Sequence, residues 1–266
     1  MDTDHSEEQG ALEQAWRTRL LSEPSDAAFR DAYDELHKTM QQRSGRGIFY
    51  ESSLTRLDRA FLEMLPPVGR VLDIGAGNGR FALAASAGRY VVAVDISGEA
   101  LTAMHALTAE PERLALCQAS ALRLPFGART FETVVSLDLV EHLHPDHLSQ
   151  HLAEVHRVLV PGGRYLLHTP SSLHGATSRG LHLREYRLKE MREAAREAGF
   201  LACWICLNLV RFGWSRTVPA WLWPAIHLWE AAWSALGEAG LRHAGGRWYT
   251  AGVPDVDVAL VKPVIA

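Results

Sequence analysis

The sequence predicts an α/β fold, a doubly wound and mostly parallel sheet of seven strands with helices on both faces. Two observations support this prediction. Short apolar runs rich in β-branched residues alternate with helical stretches through most of the chain, which is typical of strands buried on both faces of a parallel sheet. The 266 residues are 47% hydrophobic, which is enough for a sizeable core. We therefore expect one large globular body with helical additions.

Residues 1–65 are predicted to form an N-terminal helical cap. Apolar side chains recur at helical spacing over 7–42. The stretch SEPSD interrupts this pattern and predicts a break between two helices, with Ser25 as the N-cap of the second. A third amphipathic helix is predicted over 52–65, where two prolines follow it. We expect these helices to close one side of a cleft.

Seven apolar runs are the predicted strands. The core, residues 66–210, holds six of them, and residues 253–266 hold the last. Helices are predicted near 79–87, 97–108 and 145–159. The last two strands are expected to form an antiparallel edge. The runs are RVLDI (70–74), YVVAV (90–94), RLALC (113–117), TVVSL (133–137), RYLLHT (164–169), LACWICLNL (201–209) and VDVALVK (256–262).

A tryptophan-rich segment, residues 211–252, separates the last two strands. Five of the eight tryptophans lie there, and apolar residues from Leu222 to Leu236 repeat at steps of three and four. We expect this helical insertion to pack on the body of the protein. The alternatives are a lid over an apolar small molecule, a membrane-surface face or a dimer face.

Composition excludes several classes of function. The net charge is −4 and the basic residues are scattered, so no nucleic-acid partner is expected. No run of about 18 apolar residues is present, and the acidic N-terminus does not resemble a secretory signal. Three cysteines are too few for a disulfide framework. We expect a cytoplasmic protein.

The stretch VLDIGAGNGRF, residues 71–81, carries the first functional signal. Gly75, Gly77 and Gly79 lie at the carboxyl end of the first predicted strand, which is where such sheets bind ligands. Glycine there permits close approach of a ligand to the backbone. The next strand ends at Asp95, where a carboxylate can accept hydrogen bonds from a ribose diol. Together these residues predict a nucleoside site.

Asp73 indicates which nucleoside is bound. A dinucleotide loop prefers G-x-G-x-x-G, whereas here the third glycine is Gly79 and Arg80 follows it. A carboxylate beside the loop repels a pyrophosphate but suits an ammonium or sulfonium. The pattern therefore points to S-adenosylmethionine as the cofactor. The alternative is a tight strand-to-helix turn that binds nothing.

Five stretches, taken in order, resemble the class I S-adenosylmethionine-dependent methyltransferases. They are VLDIGAGNGRFAL, VVAVDIS, ASALRLPF, TFETVVSLDLVEHL and HRVLVPGGRYLLHTPS, and they are most similar to the small-molecule branch that includes the ubiquinone and menaquinone biosynthesis enzymes. The resemblance covers residues 68–170 well and 180–210 loosely, and it implies a Rossmann-like fold.

By this resemblance, Asp73 and the glycine loop hold the methionine part of the cofactor, and Asp95 holds the ribose. Ile96 is expected to pack on the adenine, and Leu137 to flank the methionine. The family often has an aspartate where this chain has Ser120. The full set of expected cofactor-binding residues is Asp73, Gly75, Ala76, Gly77, Gly79, Asp95, Ile96, Ser120, Ala121 and Leu137.

A methyl acceptor with a hydroxyl, phenol or amine must also lose a proton, and a histidine is a suitable base. His182 follows the fifth strand, where this branch usually builds its acceptor pocket, so it is our first candidate and His174 is the second. The alternative for both is an ordinary loop histidine. His144, His147 and His151 are expected to lie on a solvated helix face.

The stretch D-L-V-E-H places Asp138, Glu141 and His142 on one predicted helical turn. It resembles the E-x-x-E-H stretch of the ubiquinone-pathway O-methyltransferases, which implies Mg²⁺ or Mn²⁺ as a ligand. The pattern also occurs across the wider family without a metal. We expect no metal here, and the divalent ion remains the alternative.

The sequence thus predicts an S-adenosylmethionine-dependent methyltransferase that moves a methyl group to a small apolar or aromatic molecule, most often at oxygen. The alternatives are transfer to nitrogen or carbon, a nicotinamide-dependent oxidoreductase, or a non-catalytic partner that keeps the fold. Neither a nucleic acid nor a transmembrane segment is expected. A homodimer is left open.

Overall fold

The computed structural model describes residues 2–44, 54–108, 112–170, 181–205 and 256–264. Helices and strands alternate through these ranges as the sequence predicts. The helices are α1 (Asp2–Ser22), α2 (Asp26–Ser44), α3 (Arg56–Met64), α4 (Arg80–Ser86), α5 (Gly98–His105), α6 (Leu148–Val158) and α7 (Leu188–Glu197). The strands are β1 (Arg70–Ile74), β2 (Tyr90–Asp95), β3 (Leu114–Gln118), β4 (Phe131–Leu137), β5 (Leu159–Thr169), β6 (Leu201–Ile205) and β7 (Val256–Val261).

The strands form one sheet in the order β3-β2-β1-β4-β5-β7-β6. Neighbours from β3 to β5 pair in parallel, and β7 pairs antiparallel with both β5 and β6. The predicted α/β class and mostly parallel sheet are confirmed. The expected antiparallel edge is also confirmed, because β7 pairs antiparallel with β6 and with β5, and β6 lies at the edge of the sheet.

Both faces of the sheet are covered, which explains why its strands lack a polar side. Along β1, Val71 belongs to one buried cluster and Leu72 to the other, as the period of two requires. The cluster around Val71 includes side chains of α3, α4 and α5. The cluster around Leu72 includes side chains of α6 and α7. This two-layer cover leaves the carboxyl ends of the strands available for a ligand.

The N-terminal helices dock over that end of the sheet. The predicted break between them is confirmed, because α1 ends before it and the Ala28 amide donates to Ser25 Oγ at 3.2 Å. Leu20 and Phe29 pack with Leu183 from the loop before α7. Arg17 Nε also donates to the carbonyl oxygen of His182 at 2.9 Å. The first helix therefore holds the loop that carries our first candidate base.

The expectation of a solvated face for three histidines is wrong at His151. This side chain is fully buried on α6. Its Nδ1 lies 3.1 Å from the carbonyl oxygen of Ala121, and its Nε2 lies 2.8 Å from the Tyr165 hydroxyl, which lies 2.6 Å from Ser136 Oγ. Because a carbonyl oxygen only accepts, Nδ1 carries the proton and Nε2 accepts from tyrosine.

Some predictions fall on parts of the chain outside the described residues. They include His174 and the whole tryptophan-rich segment, 211–252. The boundaries at 65, 210 and 252 stay predictions. Within the described ranges, none of the helices has the length and apolar character needed to cross a membrane.

Candidate functional site

A cavity of about 290 Å³ lies at the carboxyl ends of the central strands. Its volume is close to the lower end of small-molecule sites, which span about 300–1,000 Å³. Its walls come from the ends of β1, β2 and β4, the loop after β3, and α2. The expected cofactor residues found in its walls are Asp73, Gly75, Ala76, Gly77, Asp95, Ile96, Ser120, Ala121 and Leu137.

The glycine loop wraps tightly around the end of β1. The amides of Gly75 and Ala76 both donate to the Val94 carbonyl, at 2.8 and 3.0 Å, which ties the loop to β2. Gly77 has a φ of 53°, and a Cβ there would meet no atom within 4 Å, so its backbone borders open space in the cavity wall. Gly79 lies outside the wall, has a φ of 79°, and would place a Cβ 2.4 Å from Met104 Cγ. Gly77 thus leaves room in the cavity for a ligand, and Gly79 leaves room for Met104 of α5.

Asp73 is the most perturbed acid of the loop. Its side chain lies in the cavity wall but is only 3% exposed. Burial, together with the nearby carboxylates of Asp95 and Asp58, raises its pKa to about 8. A cation placed in the cavity would reverse this balance, because it favours the charged carboxylate. The site is therefore suited to a positively charged group.

Asp95 ends β2 and closes the far side of the glycine loop. Its Oδ2 accepts from the Gly77 amide and its Oδ1 from the Ser97 amide, both at 2.8 Å. Burial raises the pKa of this carboxyl, and the two amides oppose that rise. Each oxygen keeps a second lone pair, which matches acceptance from a pair of vicinal hydroxyls.

Helix α2 forms a cover that the sequence indicated only in outline. Asp34 Oδ1 accepts from Ser97 Oγ at 2.7 Å and from the Glu99 amide at 3.2 Å. At the first residue of α2, Asp26 Oδ1 accepts from Ser120 Oγ at 2.8 Å. The helix is thereby tied to the loops after both β2 and β3. The side chains that it places in the cavity wall are Asp26, Phe29, Tyr33, Leu36 and His37.

An ion pair joins α3 to the glycine loop. Asp58 is 1% exposed and caps the start of α3 by accepting from the amide and hydroxyl of Thr55. Arg80, the first residue of α4, places Nε 2.6 Å from Asp58 Oδ2. Both residues lie in the cavity wall. Sequence reasoning missed this pair, because nothing in either segment indicates the other.

A cluster of polar side chains, Glu141, His142 and His182, reaches the opposite wall of the cavity through His142. Burial raises the pKa of Glu141 to about 8, and burial and the neighbouring His182 lower that of His142 to about 4. The rings of His142 and His182 meet edge to face with centroids 4.8 Å apart. His142 lies in the cavity wall and His182 lies behind it. The role of His182 as a base stays a prediction.

Asp138 is not part of this cluster, so the expected grouping with Glu141 and His142 is replaced by one that contains His182. Asp138 has a φ of 56°, which takes it out of the helical turn, and its Oδ1 lies 3.2 Å from His168 Nε2. The turn that follows is a short 3-10 helix, Val140–His142. The sequence could not reveal that a loop 40 positions later supplies the third side chain.

Comparison with known proteins agrees with this geometry. Residues 71–163 match the family described as a methyltransferase domain. A curated relative from Mycolicibacterium smegmatis, named as a probable S-adenosylmethionine-dependent methyltransferase, is 31% identical over 136 residues, or 49% of this chain and 51% of that protein. The match thus spans about half the length of that relative.

Solved structures share the fold at low identity. The [4+2]-cyclase SpnF has a TM-score of 0.63 at 18% identity, covering 91% of this chain and 98% of its own. The 1,6-didemethyltoxoflavin-N1-methyltransferase of Burkholderia thailandensis has a TM-score of 0.55 at 19% identity, covering 88% of each chain. Their different activities show that the fold does not decide the reaction. Residues 71–163 thus match a methyltransferase domain, and the sheet order and the fold of the solved neighbours agree with that match.

Proposed function

We propose that the protein is an S-adenosylmethionine-dependent methyltransferase whose acceptor is a small molecule. The observation that carries the proposal is Asp73, a buried carboxyl whose pKa is raised to about 8 beside a second acid in the wall of a nucleoside-sized cavity. Such a group binds an ammonium strongly, because the cation removes the cost of ionising it. Asp95 lies one strand away in the same cavity wall, which supports a proposed role in binding the ribose.

The methyl donor supplies the reactivity, and the chain's own residues provide position and exclusion of water. Aliphatic and aromatic side chains of α2, Phe29 and Leu36 among them, cover the cavity. This cover supports an apolar or aromatic acceptor small enough to be enclosed.

Oxygen is the proposed accepting atom. The wall opposite the acids offers Tyr33 and His142, a phenol and an imidazole that burial holds neutral. A hydroxyl acceptor finds there both a hydrogen-bond donor and a lone-pair acceptor for its proton. His182, in edge contact with His142, acts in this proposal by positioning that ring.

Calorimetry with S-adenosylhomocysteine and, separately, NAD tests the cofactor. We expect one S-adenosylhomocysteine per chain and no heat above dilution with NAD. Release of S-adenosylhomocysteine from S-adenosylmethionine is then followed with pools of phenols, enols and amines. Failure to bind S-adenosylhomocysteine would reject the proposal. Binding of S-adenosylhomocysteine without methyl transfer to any of the pools would reject the transferase reaction.

A further inference from the structure

We propose that Glu141, His142 and His182 form a binding site for one divalent transition-metal ion beside the cavity. One ligand-capable atom from each side chain lies within 4.8 Å of the other two. A carboxylate with two imidazoles is a donor set that suits Zn²⁺ and related first-row ions. The three residues come from two segments joined by backbone hydrogen bonds, because the amides of Leu183 and Arg184 donate to the Glu141 carbonyl at 2.7 and 3.1 Å.

The strongest support is a buried oxygen of Glu141. The residue is 0% exposed, and its Oε2 accepts from Thr169 Oγ1 at 2.8 Å. Within the part of the chain that the structure describes, Oε1 has no hydrogen-bond partner, and it lies 4.0 Å from His142 Nε2. Buried polar atoms are costly without a partner. A cation between Oε1 and the imidazole would remove that cost.

Hydrogen bonds already orient both imidazoles for binding. His142 Nδ1 lies 3.1 Å from the carbonyl oxygen of Leu181, which only accepts, so Nδ1 carries the proton and Nε2 keeps its lone pair. His182 Nδ1 lies 3.1 Å from Glu185 Oε1, which leaves its Nε2 in the same state. Histidines that bind metals commonly donate their other N–H to a carbonyl or carboxylate in this way.

The site needs a small contraction to hold an ion. Tetrahedral Zn²⁺ with bonds of about 2.0–2.1 Å separates its ligand atoms by about 3.4 Å, so the present atoms must approach by about 1 Å. The side chain of His182 is 19% exposed and has room to turn. Three protein ligands leave a fourth position for water or for an oxygen of a small molecule. The ion site does not depend on the proposed methyl transfer.

The test uses full-length, untagged protein that has been stripped with a chelator and desalted. Zn²⁺ is titrated by calorimetry, and Co²⁺ is followed by its visible absorption, which reports coordination number. We expect one ion per chain. Glu141→Gln, which keeps an acceptor for Thr169, and His182→Gln are each expected to weaken binding at least about 10- to 100-fold.

The matched control is His105→Gln, an exposed histidine in the last turn of α5, which should bind the ion like the wild type. Circular dichroism confirms that each variant is folded. Absence of stoichiometric binding by the wild type, or equal affinities of His182→Gln and His105→Gln, would overturn the site. S-adenosylhomocysteine binding is measured on the same samples, so failure of the cofactor proposal is recorded separately.

Discussion

The two walls of the cavity are built in different ways. The wall that carries Asp73 and Asp95 is formed by one continuous stretch of chain, and its shape is fixed by backbone hydrogen bonds to Val94 and from Gly77. The opposite wall, which carries Tyr33 and His142 with His182 behind them, is assembled from three distant segments.

The electrostatics of the two walls also differ. Burial raises the pKa of Asp73 on the first wall to about 8 and lowers the pKa of His142 on the second to about 4. A cationic cofactor satisfies the first wall, whereas the second is suited to a neutral acceptor or to a metal ion. Under the proposed function, this difference would make cofactor recognition a matter of local sequence and acceptor recognition a matter of tertiary packing.

Asp73→Asn is expected to give the largest effect and to show how far the first wall depends on charge. Loss of a buried partner for an ammonium should weaken S-adenosylhomocysteine binding about 100-fold or more, or about 3 kcal/mol, by calorimetry at pH 7.5. Asp31→Asn, at an exposed position of α2, is the control. Equal affinity in the two variants would mean that the first wall does not recognise charge.

Asp73→Asn should also change how the free energy of unfolding of the ligand-free protein depends on pH. The folded-state pKa of Asp73, about 8, lies above the unfolded value of about 3.9, so the folded state binds the proton more tightly. Its contribution to stability is therefore full below about pH 4 and declines by about 1.4 kcal/mol per unit up to about pH 8. Asp73→Asn should flatten this decline in denaturant titrations, and an unchanged slope would contradict the raised pKa.

Gly79→Ala tests whether the first wall depends on its backbone. A methyl there meets the side chain of Met104 and also forces a positive φ on alanine. We expect a loss of about 2–4 kcal/mol in the free energy of unfolding. Gly88→Ala is the control, because Gly88 lies between α4 and β2 and a Cβ there would have no atom within 4 Å. It should change the free energy of unfolding by less than about 1 kcal/mol. Similar losses in both would remove the steric argument.

His151, on α6, binds the carbonyl oxygen of Ala121, a residue of the cavity wall, through its side chain. Burial lowers its pKa to about 4. The unfolded chain takes up a proton near pH 6.5 and the folded chain only near 4, so stability falls as the pH drops through this window, by about 3 kcal/mol in total. In His151→Asn the free energy of unfolding should fall less steeply as the pH drops through this window, and His105→Asn is the control. Parallel pH profiles for the two would refute this.

Tyr33→Phe is expected to give the smallest effect and to separate the two walls. The hydroxyl is buried, and among the described residues it has no hydrogen-bond partner. Its loss should lower kcat/KM for the acceptor found in the screen about tenfold while leaving S-adenosylhomocysteine affinity unchanged. Tyr90→Phe, at a residue 45% exposed on β2, is the control. A parallel loss of cofactor affinity would mean that the walls are not independent.

The first wall could be predicted from the sequence because its parts are neighbours along the chain. The spacing from Asp73 to Asp95 is set by one strand, one helix and the next strand, and each has a local pattern. The second wall could not be predicted in the same way. The periodicity of α2 shows that Phe29 and Tyr33 share a buried face, but no pattern says what that face covers.

His151 shows a signal that was present and misread. It recurs with Leu148, Leu152 and Val155 at helical steps, and all four are buried in the structure. The neighbouring histidines and the polar residues around it favoured a solvated face. Tyr165, whose hydroxyl lies within hydrogen-bond distance of the buried His151, is on β5. The periodicity of a helix does not predict which strand residue it contacts.

The position of β7 has a consequence for how the protein is made. Among the described strands, β6 joins the sheet through β7, which is also the strand that covers the outer edge of β5. On the ribosome, β5 and β6 are therefore synthesised long before the segment that bridges them. The backbone groups on the open edge of β5 stay exposed to other nascent chains during that interval. Completion of the sheet must wait until Val256–Val261 has been made, and chaperones that protect bare strand edges should matter more for this chain than for one whose sheet closes in order.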